Sequence, residues 1–238
     1  MPIPVGMSVD ELVLVQGMDD TKAALRRWNR APWQTLRPWV GLSVAIAVGL
    51  LGAVYAIALA TTPDSTTYVL PGYNHPAELT DYLQILFRNS LVLALHAMAC
   101  VAGFMAGSSL PLSASKRSGL SRWVHEKAGP LAIGFVVCAT LFSLCTQAYV
   151  IGGNAASIAV QLGTSPELLI LTLVPHALPE LVALFLPLAA WMIASRNDDW
   201  QDLFAATFVT VGIAVPVLLA AAAIELWVWP HLLAAVAA

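Results

Sequence analysis

The sequence predicts an all-α, polytopic membrane protein: a bundle of about five transmembrane helices, N-terminus cytoplasmic and C-terminus external. Three observations carry that prediction. The 238 residues are 59% hydrophobic and only 11% charged, where a soluble domain runs at roughly 45–50% and about 25%. The chain contains long charge-free stretches, each of the length a bilayer requires, about 20 residues. Its basic residues also fall almost entirely on one side of a five-helix path. The high apolar content with a net charge of −3 excludes disorder. With 11 Lys and Arg against 14 Asp and Glu, there is no basic footprint for nucleic acid.

Residues 1–38 are polar enough for a cytoplasmic segment, and Val9–Trp28 carries helical spacing (Leu12, Val15, Ala23, Leu25, Trp28) that fits either a surface-lying amphipathic helix or a short soluble one. Residues 39–238 form the transmembrane domain. Val40–Ala60 is free of charge and predicts a helix over 39–61. Ala58-Leu59-Ala60 imitates a signal-peptidase site. The apolar core is too long for a signal peptide, however, so the segment reads as an uncleaved anchor. Thr61–Leu86, with Pro63, Pro71, Gly72 and Pro76, is a turn-rich loop large enough to cap the bundle. Asn89–Ser115 predicts a helix over 88–109. Ala128–Pro166 predicts one over 129–151, with Gly152-Gly153-Asn154 as a break that leaves room for a re-entrant segment. Leu168–Ser195, interrupted only by Glu180, predicts a helix over 168–194. The segment from Leu203 onward, interrupted only by Glu225, predicts one over 204–229.

Lys22, Arg26, Arg27, Arg30, Arg37, Lys116, Arg117, Arg122, Lys127 and Arg196 all fall on the N-terminal side of that path, and Arg88 alone falls opposite. The positive-inside rule makes their side cytoplasmic. Trp39, Trp191, Trp227 and Trp229 near helix ends suit an interfacial aromatic belt. Cys100, Cys138 and Cys145 lie within helices at no zinc-like spacing and read as small packing residues.

Ionisable residues at bilayer depth cost about 2.5–3.5 kcal/mol each on insertion scales, so they mark candidate sites. His176 and Glu180 are four apart and share a helix face, between Pro175 and Pro179, which bend the helix. Asn89, His96, Cys100, Gly103 and Gly107 form one stripe on the second helix. Gly103 and Gly107 make a G-x-x-x-G face that allows close helix approach, within the bundle or in a homodimer. Gln147 and Glu225 add polar groups at similar depth. Asn89, His96, Gln147, His176, Glu180 and Glu225 are thus the candidate binding cluster. Three readings stay open: a buried hydrogen-bonded network, a site that binds or moves a peptide, lipid or ion, and a catalytic site. For the last, His176, Glu180 and Glu225 are the candidate catalytic residues, and His176, Glu180 and His96 the candidate ligands of zinc or another divalent metal. No H-E-x-x-H is present.

At these residues the chain resembles the stage II sporulation protein M family. Phe87-Arg88-Asn89-Ser90-Leu91-Val92 followed by Gly103-x-x-x-Gly107 is similar to the family's Asn-led second helix. Leu173–Ala183, with Pro175-His176 and Glu180, is similar to its Pro-His-Gly-x-x-Glu signature, with Ala177 in place of the glycine. Ala221–Pro230, with Ile224-Glu225 and Pro230, is similar to its last helix. The resemblance spans about residues 87–230. It implies a multi-pass protein of the bacterial cytoplasmic (inner) membrane, usually non-enzymatic. Such a protein acts as a scaffold or accessory for a peptidoglycan hydrolase, an ABC exporter or the maturation of a bacteriocin-type precursor peptide. A membrane-embedded peptide-maturation enzyme and a peptide or ion transporter are the alternatives.

Overall fold

The computed structural model describes residues 9–109 and 118–237. The helices are α1 Val9–Arg30, α2 Pro32–Ala60, α3 Leu79–Phe104, α4 Gly119–Gln161, α5 Pro166–Asn197, α6 Leu203–Trp227 and α7 Trp229–Val236. A π-helical turn, Met105–Ser109, continues α3, and a 3-10 turn, Trp200–Asp202, leads into α6. Among the described residues no strand forms beyond one bridge between Pro71 and His75. The five helices α2 to α6 are long and apolar enough to cross a membrane. The chain is therefore an all-α bundle of multi-pass type. Five crossings put α1 and α7 on opposite faces, which we call the basic face and the cap face. Lys116, Arg117 and the side chain of Arg122, part of the basic set, lie outside the described residues, as do the side chains of Leu12 and Val15.

Helix ends follow local chemistry more than charge. α2 starts at Pro32, ahead of the expected 39, because proline at the first position needs no backbone donor, and Arg37 is accommodated within the helix. α3 starts at Leu79, ahead of the expected 88, behind a capping box in which Glu78 and Asp81 satisfy each other's backbone N–H groups. Ser165 caps α5 by accepting from the Leu168 N–H, and Asp198 ends it in the left-handed region at φ 60. α6 stops at Trp227 rather than 229. Pro230 has no N–H to offer the Leu226 carbonyl, and the chain restarts as α7.

The largest correction concerns α4. It runs unbroken through Gly152-Gly153-Asn154 to Gln161, so there is no break and no re-entrant segment. Gly152 is instead the crossing point with α2. A Cβ there would stand 2.8 Å from the Val54 carbonyl oxygen and 2.8 Å from Ile57 Cβ. The glycine marks close helix approach, which the bilayer favours because small residues let backbones touch.

α5 is the central helix: Ala183 to Trp191 is buried continuously. Phe185, Leu184 and Leu188 pack with Leu50 of α2, Ala99 of α3 and Leu203, Ala214 and Leu218 of α6. α4 is peripheral and exposes Leu131, Phe135, Leu141, Phe142 and Tyr149, an apolar face suited to lipid. Trp39 and Trp191 do not join an interfacial belt. Both are buried, Trp39 edge-on against Trp28 of α1 at 5.2 Å. Arg27 pairs with Asp202, fastening α1 to the turn before α6.

On the cap face, the loop of residues 61–78 is tied to α4. The Tyr68 N–H donates to Gln161 Oε1 at 2.8 Å, Gln161 Nε2 donates back to the Tyr68 carbonyl at 3.0 Å, and the Asp64 N–H donates to Ser157 Oγ at 3.1 Å. Asp64 accepts from the Thr66 N–H, which holds its carboxyl below the usual carboxylate range. Leu70 buries beside Leu169 of α5 and Leu233 of α7. Gly72, at φ +80, lies against Pro230 and the Leu226 carbonyl left free by that proline.

Candidate functional site

Beneath this cap lies a cavity of about 300 Å³ between the spanning helices. α5 borders it along a stretch that holds two prolines. Pro175 and Pro179 remove two backbone donors, freeing the carbonyls of Leu171 and Pro175. Irregular backbone of this kind is tolerated at membrane depth where it borders a cavity or another helix. From α5, His176 and Glu180 line the cavity. From α3 come Arg88 and Asn89, and from α6 comes Glu225. The remaining wall is apolar: Leu50, Leu51 and Val54 of α2, Ile85 of α3, Ile151 of α4, and Leu173 and Leu181 of α5.

Glu225 lies two residues from the end of α6, and Glu180 is mid-helix, yet they meet. Roughly 21 Å of α5 extends beyond Glu180 toward the cap face at about 1.5 Å per residue. The short α7 folds back over that extension. Trp229 packs edge-on to the His176 ring at 5.6 Å, and its Nε1 donates to Thr172 Oγ1 at 3.0 Å. His176 is thus clamped between the cap and the cavity. Its residue exposure is 4%, and its Nδ1 has no hydrogen-bond partner. Asn89 Nδ2 is also unpartnered. Neither Glu180 nor Glu225 joins an ion pair among the described residues, where the pairs are Lys22–Asp19 and Arg27–Asp202.

The structure therefore brings together four of the six candidate binding residues, Asn89, His176, Glu180 and Glu225, and adds Arg88. It separates the other two. His96 is fully buried one helical segment deeper, edge-on to Phe185. Its ring contacts the Leu184 carbonyl at 2.9 Å. A carbonyl only accepts, so the proton sits on Nδ1 and the ring serves as a donor to α5. Cys100 does the same one turn on, its Sγ donating to the Pro187 carbonyl at 3.1 Å. Both residues fasten α3 to the stretch of α5 around Pro187, whose missing N–H leaves the Ala183 carbonyl without its helical donor. Gln147 turns along α4 and donates to Ser143 Oγ at 3.0 Å.

The candidate metal set of His176, Glu180 and His96 is not assembled, because His96 faces Leu184 and not the cavity. Among the described residues no three His, Cys, Asp or Glu side chains converge to hold an ion, so the residues present do not fit a zinc centre, which takes at least three protein ligands. The candidate catalytic residues His176, Glu180 and Glu225 do share the cavity. Gly103 and Gly107 pack inside the chain. A Cβ on Gly103 would meet Trp191 at 2.8 Å and Leu203 at 2.7 Å, and one on Gly107 would meet Trp200.

Two contributors escape a reading of the sequence. Trp229 looks like an interfacial aromatic, and Thr172 looks like an ordinary helix residue. The signal for both is Pro230, which ends α6 and turns Trp229 inward. Neither a protein-family model, nor a curated protein, nor a solved structure matches the chain.

Proposed function

We propose that this protein is a non-enzymatic integral membrane scaffold or accessory protein that seats a polar group of a partner in the cavity between α2, α3, α5 and α6. The supporting observation is the unpartnered state of the site. His176 and Asn89 are held in place with free polar atoms, and two carboxylates face the same space without an ion pair. Each unmet buried polar group costs about 1–3 kcal/mol; His96 Nε2 and Trp191 Nε1 are unmet too, but His176 and Asn89 differ in bordering a cavity that also holds two carboxylates. Most of the residues lining this cavity, Arg88, Asn89, His176, Glu180 and Glu225 among them, fall in the segments that resemble the stage II sporulation protein M family. That resemblance supports a partner of the cell-wall hydrolase or peptide-exporter kind in a bacterial cytoplasmic membrane.

A photo-crosslinking residue at position 173, used in intact membranes, tests the reading. The expected result is a discrete protein adduct that Glu180→Gln reduces at least several-fold at unchanged insertion. Absence of an adduct from positions 85 and 173 alike refutes it. A peptide-maturation enzyme is a second reading, favoured by the presence of His176, Glu180 and Glu225 on the wall of one cavity. It is distinguished by a chemically altered peptide product.

A further inference from the structure

The charge and shape of the cavity point to the chemistry of its occupant. Two carboxylates, Glu180 and Glu225, face one guanidinium, Arg88. Fully ionised, the set carries one net negative charge, which a low-dielectric surround relieves either by protonation of a carboxylate or by entry of a cation. Among the described residues no other ionisable group faces the space except His176, for α2 contributes only Leu50, Leu51 and Val54, and α4 only Ile151. The two carboxylates can only accept when ionised, so together they suit a cationic donor, and the buried His176, its Nδ1 unpartnered, lies on the same wall. At about 300 Å³ the space is also far larger than a bare ion or a single water requires, and most of its wall is aliphatic.

We propose that the cavity binds an aliphatic primary ammonium group, its nitrogen donating to Glu180 and Glu225 and its hydrocarbon stem lying on Leu50, Leu51 and Leu173. Resting on the scaffold reading, this makes the seated partner group a lysine side chain. An ammonium has three donors and a single positive charge on a flexible stem, which suits two carboxylates and the one charge that Arg88 leaves uncompensated. Arg88 completes the neutral set and, as a permanent cation with no acceptor, turns away a second cation.

The probe is n-pentylamine, added to the purified protein in mild detergent at fixed pH and ionic strength, with thermal unfolding as the readout. A saturable rise in Tm of several degrees is expected with pentylamine. Neither n-pentanol, which lacks the charge, nor tetramethylammonium, which lacks N–H donors, should reproduce it. Leu173→Phe fills the stem region, leaves every charge in place and should abolish the shift, as should Glu180→Gln with Glu225→Gln. An equal response to pentanol or to tetramethylammonium overturns the proposal, and so does a full shift in the Leu173→Phe protein.

An arm without variants uses a hydrophobic carbodiimide together with pentylamine. The pentylamide is expected on Glu180 or Glu225, and labelling confined to exposed carboxylates such as Asp64 overturns the assignment. Failure here with a position-173 adduct intact removes the ammonium and leaves the scaffold. Amine binding without any adduct does the reverse.

Discussion

Replacing Gly152 by alanine sets two neighbouring glycines against each other. A Cβ at Gly152 stands 2.8 Å from the Val54 carbonyl oxygen and 2.8 Å from both Cβ and Cγ2 of Ile57. The first is backbone and the second a β-branched side chain with little rotameric freedom. Neither retreats without moving α2 from α4. Gly153, the next residue, has no heavy atom within 4 Å of its would-be Cβ. Both substitutions gain the same helix-forming benefit, about 1 kcal/mol, so that gain cancels in the comparison. What remains is the overpacking cost, about 1–3 kcal/mol. Gly152→Ala should therefore be less stable than Gly153→Ala by about 1–3 kcal/mol, with Gly153→Ala at or above wild type. Equilibrium unfolding of the three proteins in mixed micelles measures the difference. Equal stability of the two variants would show that α4 does not cross α2 at Gly152, and with that the placement of Ile151 on the cavity wall would fall.

Further outcomes follow from the same geometry. Gly107→Leu drives a side chain into Trp200 and should lower folded yield independently of protein concentration, whereas loss of a dimer with folded monomer retained would place that face at an interface; size-exclusion chromatography across a dilution series reads it. Trp28→Ala removes the edge-on contact with Trp39 and should speed proteolysis within α1, with Arg27→Ala giving a smaller effect, about 0–1 kcal/mol for an exposed ion pair. Asp64 has its folded pKa lowered, chiefly by the Thr66 N–H, so the order it lends the cap loop is complete above the usual carboxylate range and lost as pH falls through its folded value. The excess Thr66 amide protection of wild type over Asp64→Ala should vanish in that acid window. His96→Leu removes the side-chain donor to the Leu184 carbonyl, which keeps its helical one, and should cost about 0.5–1.5 kcal/mol of stability while leaving pentylamine binding unchanged.

The five spans were legible because bilayer length and charge exclusion act on composition, and composition is directly visible. The inward stripe of α3 was legible too, for Asn89, His96, Cys100, Gly103 and Gly107 all face protein. Periodicity names a face but not the neighbour across it. Asn89 meets the cavity, His96 and Cys100 meet backbone carbonyls around Pro187, and the glycines meet Trp191 and Trp200. The misreadings share a cause. Glycine in a membrane helix serves close approach as readily as termination, so Gly152-Gly153 resembles a break while forming a crossing. A tryptophan near a helix end resembles an interfacial anchor, while Trp39 and Trp191 are buried by elements distant in sequence. Glu225 and Glu180 have similar depth, and both line one cavity because hydrocarbon excludes ionisable side chains from the lipid face and leaves only the bundle interior to hold them.

The central claim is that the cavity holds a guest rather than a self-contained packing network. Native mass spectrometry of protein released directly from membranes tests it most directly, on wild type and on Glu180→Gln, His176→Ala and Glu225→Gln. A partner or amine-bearing mass should ride with the wild-type chain and be depleted at least several-fold in each variant at equal folded yield. The same bound mass on all four proteins, or a bare chain in every case, would contradict it.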